Sequence, residues 1–223
     1  MQYDLIAEQY NNDISKDLSY EKLQFEVITL PHITDPTGWK VLDVGCGSGI
    51  HTEFLASNFL NIQSIIGVDI SQKFIKLAES TSKDTRCEYV IGDMHALRMA
   101  NSQFNFIYSR YAIHYSSNIP QVMNEIYRVC KPGGRVYLQV VHPIYELFKK
   151  SSKDYGSSEE ANFTPQTTTI QVTHPTHTVA EYINSAIQSG LTITDIEERF
   201  GGQSNVKSYR VPTVLIFRLT KII

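Results

Sequence analysis

The 223-residue chain is poor in cysteine, has a single tryptophan and carries no excess of positive charge. Its three cysteines, Cys46, Cys87 and Cys130, are odd in number and widely spaced, with no Cys-x-x-Cys pair. A disulfide framework and a zinc ribbon are thereby excluded, and a reducing, cytoplasmic setting is expected. The formal net charge of −3 excludes a general nucleic-acid coat protein, so no nucleic-acid partner is expected. No apolar run reaches membrane-spanning length. Met1 to Tyr10 contains Asp4 and Glu8 where a signal peptide would have a basic stretch and then an apolar one, so neither membrane nor signal peptide is expected. Internal repeats are absent. What remains is an ordinary globular composition, 42% hydrophobic and 19% charged, enough for one large core.

Against that background one cluster stands out. Three of the twelve glycines, Gly45, Gly47 and Gly49, fall within five residues. They follow the short apolar run Val41-Leu42-Asp43-Val44 and precede a helical stretch from His51 to Phe59. Further apolar runs at Ser64–Val68, Cys87–Ile91, Phe104–Tyr108 and Arg135–Val141 alternate with helical patterns at Gln72–Glu79 and Ile119–Val129. Lys131-Pro132-Gly133-Gly134 reads as the stop of the last helix. A Ser-, Thr- and Lys-rich stretch at about 143–175 breaks the alternation and reads as an insertion of helix, loop and an extended segment at Thr167–Thr173. A helix from Thr178, its N-cap, to Ser189 follows, with Gly190 as its stop. Leu191–Glu197 and Val211–Thr220, around Gly201-Gly202, have no helix between them and must pair antiparallel. The fold class expected is therefore α/β. It is a Rossmann-like, seven-stranded, mostly parallel sheet with helices on both faces and an antiparallel C-terminal strand.

Residues 1–38 read as a separate helical piece, broken near Pro31 and Pro36. Up to Thr37 it holds two lysines against seven acids, a charge of −5, which leaves +2 for the remainder. It is either a solvated helical face or an acidic lid favouring neutral or cationic ligands.

Glycines in a strand-to-helix turn let a ligand lie on bare backbone, and the helix N-terminus adds free N–H groups. The spacing is G-x-G-x-G, not the G-x-G-x-x-G of pyrophosphate-binding folds. Alone, such a loop is equally a tight βα turn. Two acids make it more. Asp69 ends the second strand in Gly67-Val68-Asp69, where a carboxylate can accept both hydroxyls of a ribose. Asp93 ends the third in Gly92-Asp93-Met94, where an acid can accept an adenine amine and Met94 can cover the ring.

Together with Tyr3-Asp4-Leu5-Ile6-Ala7-Glu8-Gln9-Tyr10, Gly67 to Ser71, Phe104 to His114 and Arg128 to Gly134, these motifs make the chain resemble class I S-adenosylmethionine-dependent methyltransferases, the small-molecule branch. The resemblance implies S-adenosylmethionine as cofactor and S-adenosylhomocysteine as product. It implies methyl transfer to nitrogen or oxygen of a small metabolite or natural product, by a monomer or homodimer. It places Gly45, Cys46 and Gly47 against the methionine moiety and Asp43 toward the ammonium. Asp69 and Ile70 fall to ribose and adenine, Gly92, Asp93 and Met94 to adenine, and Ser109 and Arg110 beneath the sulfonium and its carboxylate side. Tyr3 and Tyr10 belong to a lid helix. Replacing Asp69 by alanine is then expected to abolish cofactor affinity with the fold near intact.

A hydroxyl acceptor needs a base, and histidine is the residue for it. His114, past the fourth strand, His142, past the fifth, and Tyr3, as the partner of His114, are the catalytic candidates. Each is otherwise a pocket-wall or hydrogen-bonded structural residue. In the family's phosphoethanolamine members an aspartate stands where this chain has Tyr111, and the histidine falls one residue later. His174 and His177 lack acidic or cysteine partners at ligand spacing, so no metal is expected. Cys46 and Trp39 read as packing residues. Two other classes compete. A nicotinamide-dependent oxidoreductase is opposed by the glycine spacing and by the lack of a Tyr-x-x-x-Lys pair. A non-catalytic protein that binds S-adenosylmethionine or S-adenosylhomocysteine remains open.

Overall fold

The computed structural model describes residues 7–9, 33, 35–164, 170–200, 205–206 and 209–222. Strands β1 (Lys40–Val44), β2 (Ser64–Asp69), β3 (Cys87–Ile91) and β4 (Phe104–Arg110) alternate with helices α1 (Ile50–Asn58) and α2 (Gln72–Thr81). Helix α3 (Ile119–Val129), strand β5 (Cys130–Val141) and the short helix α4 (Pro143–Leu147) follow. Strands β6 (Glu160–Phe163) and β7 (Val172–Pro175) precede helix α5 (Val179–Ser189). The chain closes with β8 (Leu191–Arg199), β9 (Asn205–Val206), β10 (Tyr209–Arg210) and β11 (Val214–Lys221).

Seven of these strands form one sheet in the order β3-β2-β1-β4-β5-β11-β8. The first five are parallel, and β11 runs antiparallel between β5 and β8, as expected from the sequence. Helices cover both faces. On one, Val122, Met123, Ile126 and Val129 of α3 pack with Leu42, Ile107, Leu138 and Phe217. On the other, Leu55 and Ala56 of α1 pack with Val41, Ile65, Phe106 and Ile216, and Trp39 lies partly buried against them. The strands are apolar nearly throughout because both faces are covered, which is why their signal is a run and not an alternation.

Local chemistry fixes the helix ends. Ser71 accepts from the Phe74 N–H, Asn118 from Gln121, and Thr178 from Glu181, while Gly190 closes α5 at φ 95°. Two segments differ from the sequence reading. Lys131 to Gly134 does not stop a helix ahead of a strand; it lies inside β5. The pairing with β4 jumps from Phe104↔Cys130 to Phe106↔Arg135, so the extra residues are taken up as a bulge. In the insertion, residues 167–169 of the expected extended segment lie outside the described residues; the strand described is Val172–Pro175, ending two residues past Thr173, and it pairs with β6 as an antiparallel hairpin. Its partner strand carries only four residues, too few to show a period. The lid reading of residues 1–38, with Tyr3 and Tyr10, and the Gly201-Gly202 connection lie outside the described residues, apart from a helical turn at 7–9 and the segment next to Trp39. No helix among the described residues is long and apolar enough to cross a membrane.

Candidate active site

The strand order reverses at β1, whose neighbours β2 and β4 lead away in opposite directions. At such a switch point the loops after β1 and β4 part and leave a crevice at the carboxyl ends of the strands. The glycine loop sits there. Gly45, Gly47 and Gly49 take φ of 76°, 53° and 79°, a region open to glycine and costly for other residues. The loop is anchored from β2: the N–H groups of Gly45 and Cys46 donate to the Val68 carbonyl at 2.7 and 3.0 Å. Gly45 is pressed on Ala112, since a Cβ built on it would stand 2.1 Å from the Ala112 Cβ. Gly47 faces open space, with nothing within 4 Å of such a Cβ. The Cys46 side chain turns the other way, into a pocket of Ile75, Ala78 and Tyr89, and burial pushes its thiol well up.

The three acids differ. Asp69 is partly buried; its Oδ2 accepts the Gly47 N–H at 3.0 Å and its Oδ1 the Ser71 N–H at 2.9 Å. It thus ties the glycine loop to the start of α2. Asp43 is buried beneath the loop, where its Oδ2 accepts the Thr52 hydroxyl at 2.7 Å. Burial pushes its carboxyl up to about 7, with Thr52 opposing and Asp69 adding to the rise. Asp93 is half exposed. Partial burial works to raise its carboxyl, but the N–H and ring of His95 outweigh that and hold it below the usual range. Between these acids, Ile70 keeps 44% of its surface exposed, an apolar side chain left at the strand edge beside Asp69. Met94 packs partly against the core, and the Gly92 N–H donates to the Asp69 carbonyl at 3.0 Å.

Across the crevice, the buried Ser109 hydroxyl donates to the Val44 carbonyl at 2.8 Å and joins β4 to β1. Arg110 donates to His51 Nε2 at 2.7 Å and lies 4.9 Å over the Tyr111 ring. His114 is buried, in the 3₁₀ turn Ile113–Tyr115. Burial, then His174 and His177, hold its imidazole well below the usual range and hence neutral. His142 is used differently: Nδ1 accepts the Ile144 N–H at 3.0 Å as the cap of α4, and Nε2 meets Glu198 Oε1 at 2.8 Å. Both its ring nitrogens serve the architecture. Among the described residues no group of three or more His, Cys, Asp or Glu is arranged to hold a metal ion.

Several residues escaped the sequence reading. His95 joins Asp93 Oδ1 through Nδ1 at 2.6 Å and Ser116 Oγ through Nε2 at 2.7 Å, bridging the loops after β3 and β4. The Asp-x-His spacing was a local signal for the first contact. The second crosses 21 residues and had none. Thr52 in the first turn of α1 and the pair Glu146 and His174 likewise become partners only through the fold.

Residues 42–138 match the family model described as a methyltransferase domain. Among curated proteins the chain is 35% identical over 114 residues to the biotin biosynthesis bifunctional protein BioHC of Cellvibrio japonicus, covering 51% of this chain and 22% of that one. It is 29% identical over 131 residues to a demethylmenaquinone methyltransferase of Lactococcus lactis, covering 57% and 52%. The chain thus spans about half or less of the length of these relatives. A putative S-adenosylmethionine-dependent methyltransferase from Listeria monocytogenes shares its fold, with a TM-score of 0.70, 21% identity and coverage of 85% and 94%. Residues 42–138 thus match a methyltransferase domain, and the fold is that of the class I S-adenosylmethionine-dependent methyltransferases. The cofactor of that class is S-adenosylmethionine, and its product is S-adenosylhomocysteine.

The residues present fit this cofactor. Gly47 leaves a bare backbone facing open space at the start of α1. Around it stand a partly buried and a buried carboxyl, an exposed apolar side chain and an arginine. That is the donor and acceptor set of a molecule with ribose hydroxyls, an aromatic base, an ammonium and a carboxylate.

Proposed function

We propose that the chain transfers the methyl group of S-adenosylmethionine to an oxygen or nitrogen of a small metabolite. The observation that carries this reading is the glycine loop with an open side at Gly47, set among the acids that end β1, β2 and β3. When bound, the cofactor supplies a methyl group already activated on a sulfonium, so the protein has to bind, orient and exclude water. Asp69 holds the ribose, Ile70 and Met94 cover the adenine, and Asp93 accepts its amine. Gly45, Gly47 and Gly92 give backbone contact. Asp43 lies toward the ammonium, and Arg110, with Ser109 behind it, toward the carboxylate. Tyr3 and Tyr10 belong to the N-terminal lid of residues 1–38, and the 143–175 segment covers the acceptor. His114 is the base. Its imidazole is neutral, and Nδ1 has no hydrogen-bond partner, so it can accept the proton of an acceptor hydroxyl. His142 has no free ring nitrogen for that step.

The test is paired. Calorimetry is expected to give binding of S-adenosylhomocysteine and none of NADH. Incubation with labelled S-adenosylmethionine is expected to move label into a small-molecule extract and not into tRNA. NADH binding alone would support the oxidoreductase reading. Tight S-adenosylhomocysteine binding with no turnover across a broad metabolite panel would support a binding protein.

The Asp43 carboxyl adds a pH signature. Its folded value, about 7, lies above the ordinary 3.8, so the folded protein keeps a proton there that the unfolded chain loses. The stability this contributes is present at low pH and lost as pH rises toward and through 7. A cationic ammonium needs the ionised form, so affinity runs the opposite way. From pH 6 to pH 8, affinity for S-adenosylhomocysteine is expected to rise about tenfold, with close to one proton released at pH 6. Calorimetry in buffers of different ionisation enthalpy reads both quantities, and Asp43→Asn is expected to flatten the profile. A flat wild-type profile would move the ammonium away from Asp43.

A further inference from the structure

Three buried polar side chains from three separate elements meet where α4 and β7 adjoin the turn after β4. His114 comes from the 3₁₀ turn, Glu146 from α4 and His174 from β7, each about 1% exposed. The His114 and His174 rings lie 4.8 Å apart at 80°, and His174 Nδ1 is 3.6 Å from Glu146 Oε1. Each side chain has an atom with no hydrogen-bond partner: His114 Nδ1, His174 Nε2 and Glu146 Oε1. Folded chains rarely carry three such atoms in one place without a ligand or water to meet them.

The chemistry of the three atoms can be read from their neighbours. His174 Nδ1 donates to the Pro175 carbonyl at 3.0 Å, which leaves Nε2 as a bare lone pair. Glu146 Oε2 is approached by the His177 N–H at 3.5 Å, and Oε1 faces the cluster. The neighbouring His177 ring is already engaged, by Glu181 at 3.0 Å and the His114 carbonyl at 3.2 Å. The walls are aromatic. The Tyr115 ring lies 4.4 Å from His114 and 5.1 Å from His174, the Phe163 ring 5.8 Å from His174, and the Tyr111 ring 6.3 Å from His114. The cluster also adjoins the glycine loop, because Ala112, two residues before His114, is the residue on which Gly45 rests.

We propose that His114, His174 and Glu146 form the polar end of the acceptor site and that it takes an uncharged aromatic hydroxyl, a phenol or hydroquinone, in preference to a carboxylate, a phosphate or an ammonium. The proposal rests on the methyl-transfer reading. Two imidazole lone pairs accept O–H groups, and a carboxylate has none to offer. The ring walls offer an aromatic acceptor edge-to-face packing. The cluster's own residues report how the place treats charge. Burial pushes the Glu146 carboxyl up to about 8 and the His174 imidazole down to about 4, so negative and positive charge are both disfavoured there. Among the described residues, Lys150 is the cation that acts on Glu146, and its ammonium is taken up by the Ser157 carbonyl.

The experiment uses the full chain saturated with S-adenosylhomocysteine and four one-ring probes that differ in charge: hydroquinone, benzoate, phenyl phosphate and benzylamine. Binding is read by saturation-transfer NMR titration. Hydroquinone is expected to bind at least tenfold tighter than each of the other three. His174→Phe, which keeps the ring and removes the lone pair, is expected to weaken hydroquinone at least fivefold while S-adenosylhomocysteine binding stays within twofold. His114→Phe, which removes the other lone pair, is expected to weaken hydroquinone at least fivefold likewise, and it carries the variant test if His174→Phe does not fold. A charged probe binding as tightly as hydroquinone, no probe binding at all, or unchanged hydroquinone binding in the histidine variants would each overturn the proposal. If S-adenosylhomocysteine itself does not bind, the methyl-transfer reading falls and takes this inference with it.

Discussion

Gly47→Ala is expected to fold normally and to bind S-adenosylhomocysteine at least 100-fold more weakly than the wild-type chain. The reason lies in what the new methyl group meets. At φ 53° an alanine pays the left-handed penalty, about 1 kcal/mol, and meets no protein atom within 4 Å. For a domain of this size that lowers the melting temperature by roughly 2–4 °C. The N–H to Asp69 survives, so the loop keeps its anchor. The methyl group instead stands on the open side of the loop, where backbone contact with the cofactor is proposed. Gly45→Ala separates the two effects. There the Cβ would lie 2.1 Å from the Ala112 Cβ at φ 76°, and the loop or β4's exit must move. Destabilisation of roughly 2–4 kcal/mol is expected, as for other overpacked or strained positions. Thermal melting and calorimetry on both variants check the pair. If Gly47→Ala binds normally, the open side of the loop is not the cofactor's side.

Part of this arrangement is written in the sequence and part arises only in the fold. The parallel strands were legible because a strand buried on both faces must be apolar along its length, as at Val41, Leu42 and Val44. The antiparallel close was legible because the sequence carries no helical pattern between β8 and β11, which pair antiparallel. The glycine loop and its acids were legible as residue types at strand ends. What each acid touches was not, because the partner comes from a distant element: Thr52 for Asp43, and Gly47 and Ser71 for Asp69. Lys131 to Gly134 misled, since Pro and Gly mark a bulge as readily as a stop. His142 and His114 looked alike in sequence, each just past a strand. The fold separates them: one caps α4 and meets Glu198, and the other sits buried with a bare nitrogen. The hairpin that brings His174 onto His114 pairs strands of four residues, too short for any period to announce it.

Asp69→Ala is expected to lower S-adenosylhomocysteine affinity at least 100-fold, and also to lower stability. From sequence alone the fold should stay near intact. The structure changes that expectation, because the carboxylate accepts two backbone N–H groups, at 3.0 Å from Gly47 and 2.9 Å from Ser71. Alanine leaves both without this acceptor at a partly solvent-exposed site, a cost of roughly 1–2 kcal/mol. A fall in affinity is therefore ambiguous: it follows from a lost ribose contact or from a loosened loop. Asp69→Asn, paired with a ligand that lacks one hydroxyl, resolves this. The asparagine keeps one carbonyl acceptor for the backbone and loses the charge. The ligand partner is the 2′-deoxy form of S-adenosylhomocysteine. If the carboxylate holds the ribose, wild type is expected to lose about tenfold on removal of the hydroxyl and Asp69→Asn to lose little, a coupling of about 1.4 kcal/mol across the cycle. A loop anchor without ribose contact gives no coupling, because the loop is equally loose for both ligands. Equal sensitivity of the two proteins to the missing hydroxyl would thus remove Asp69 from the ribose and leave it as the strut between the glycine loop and α2.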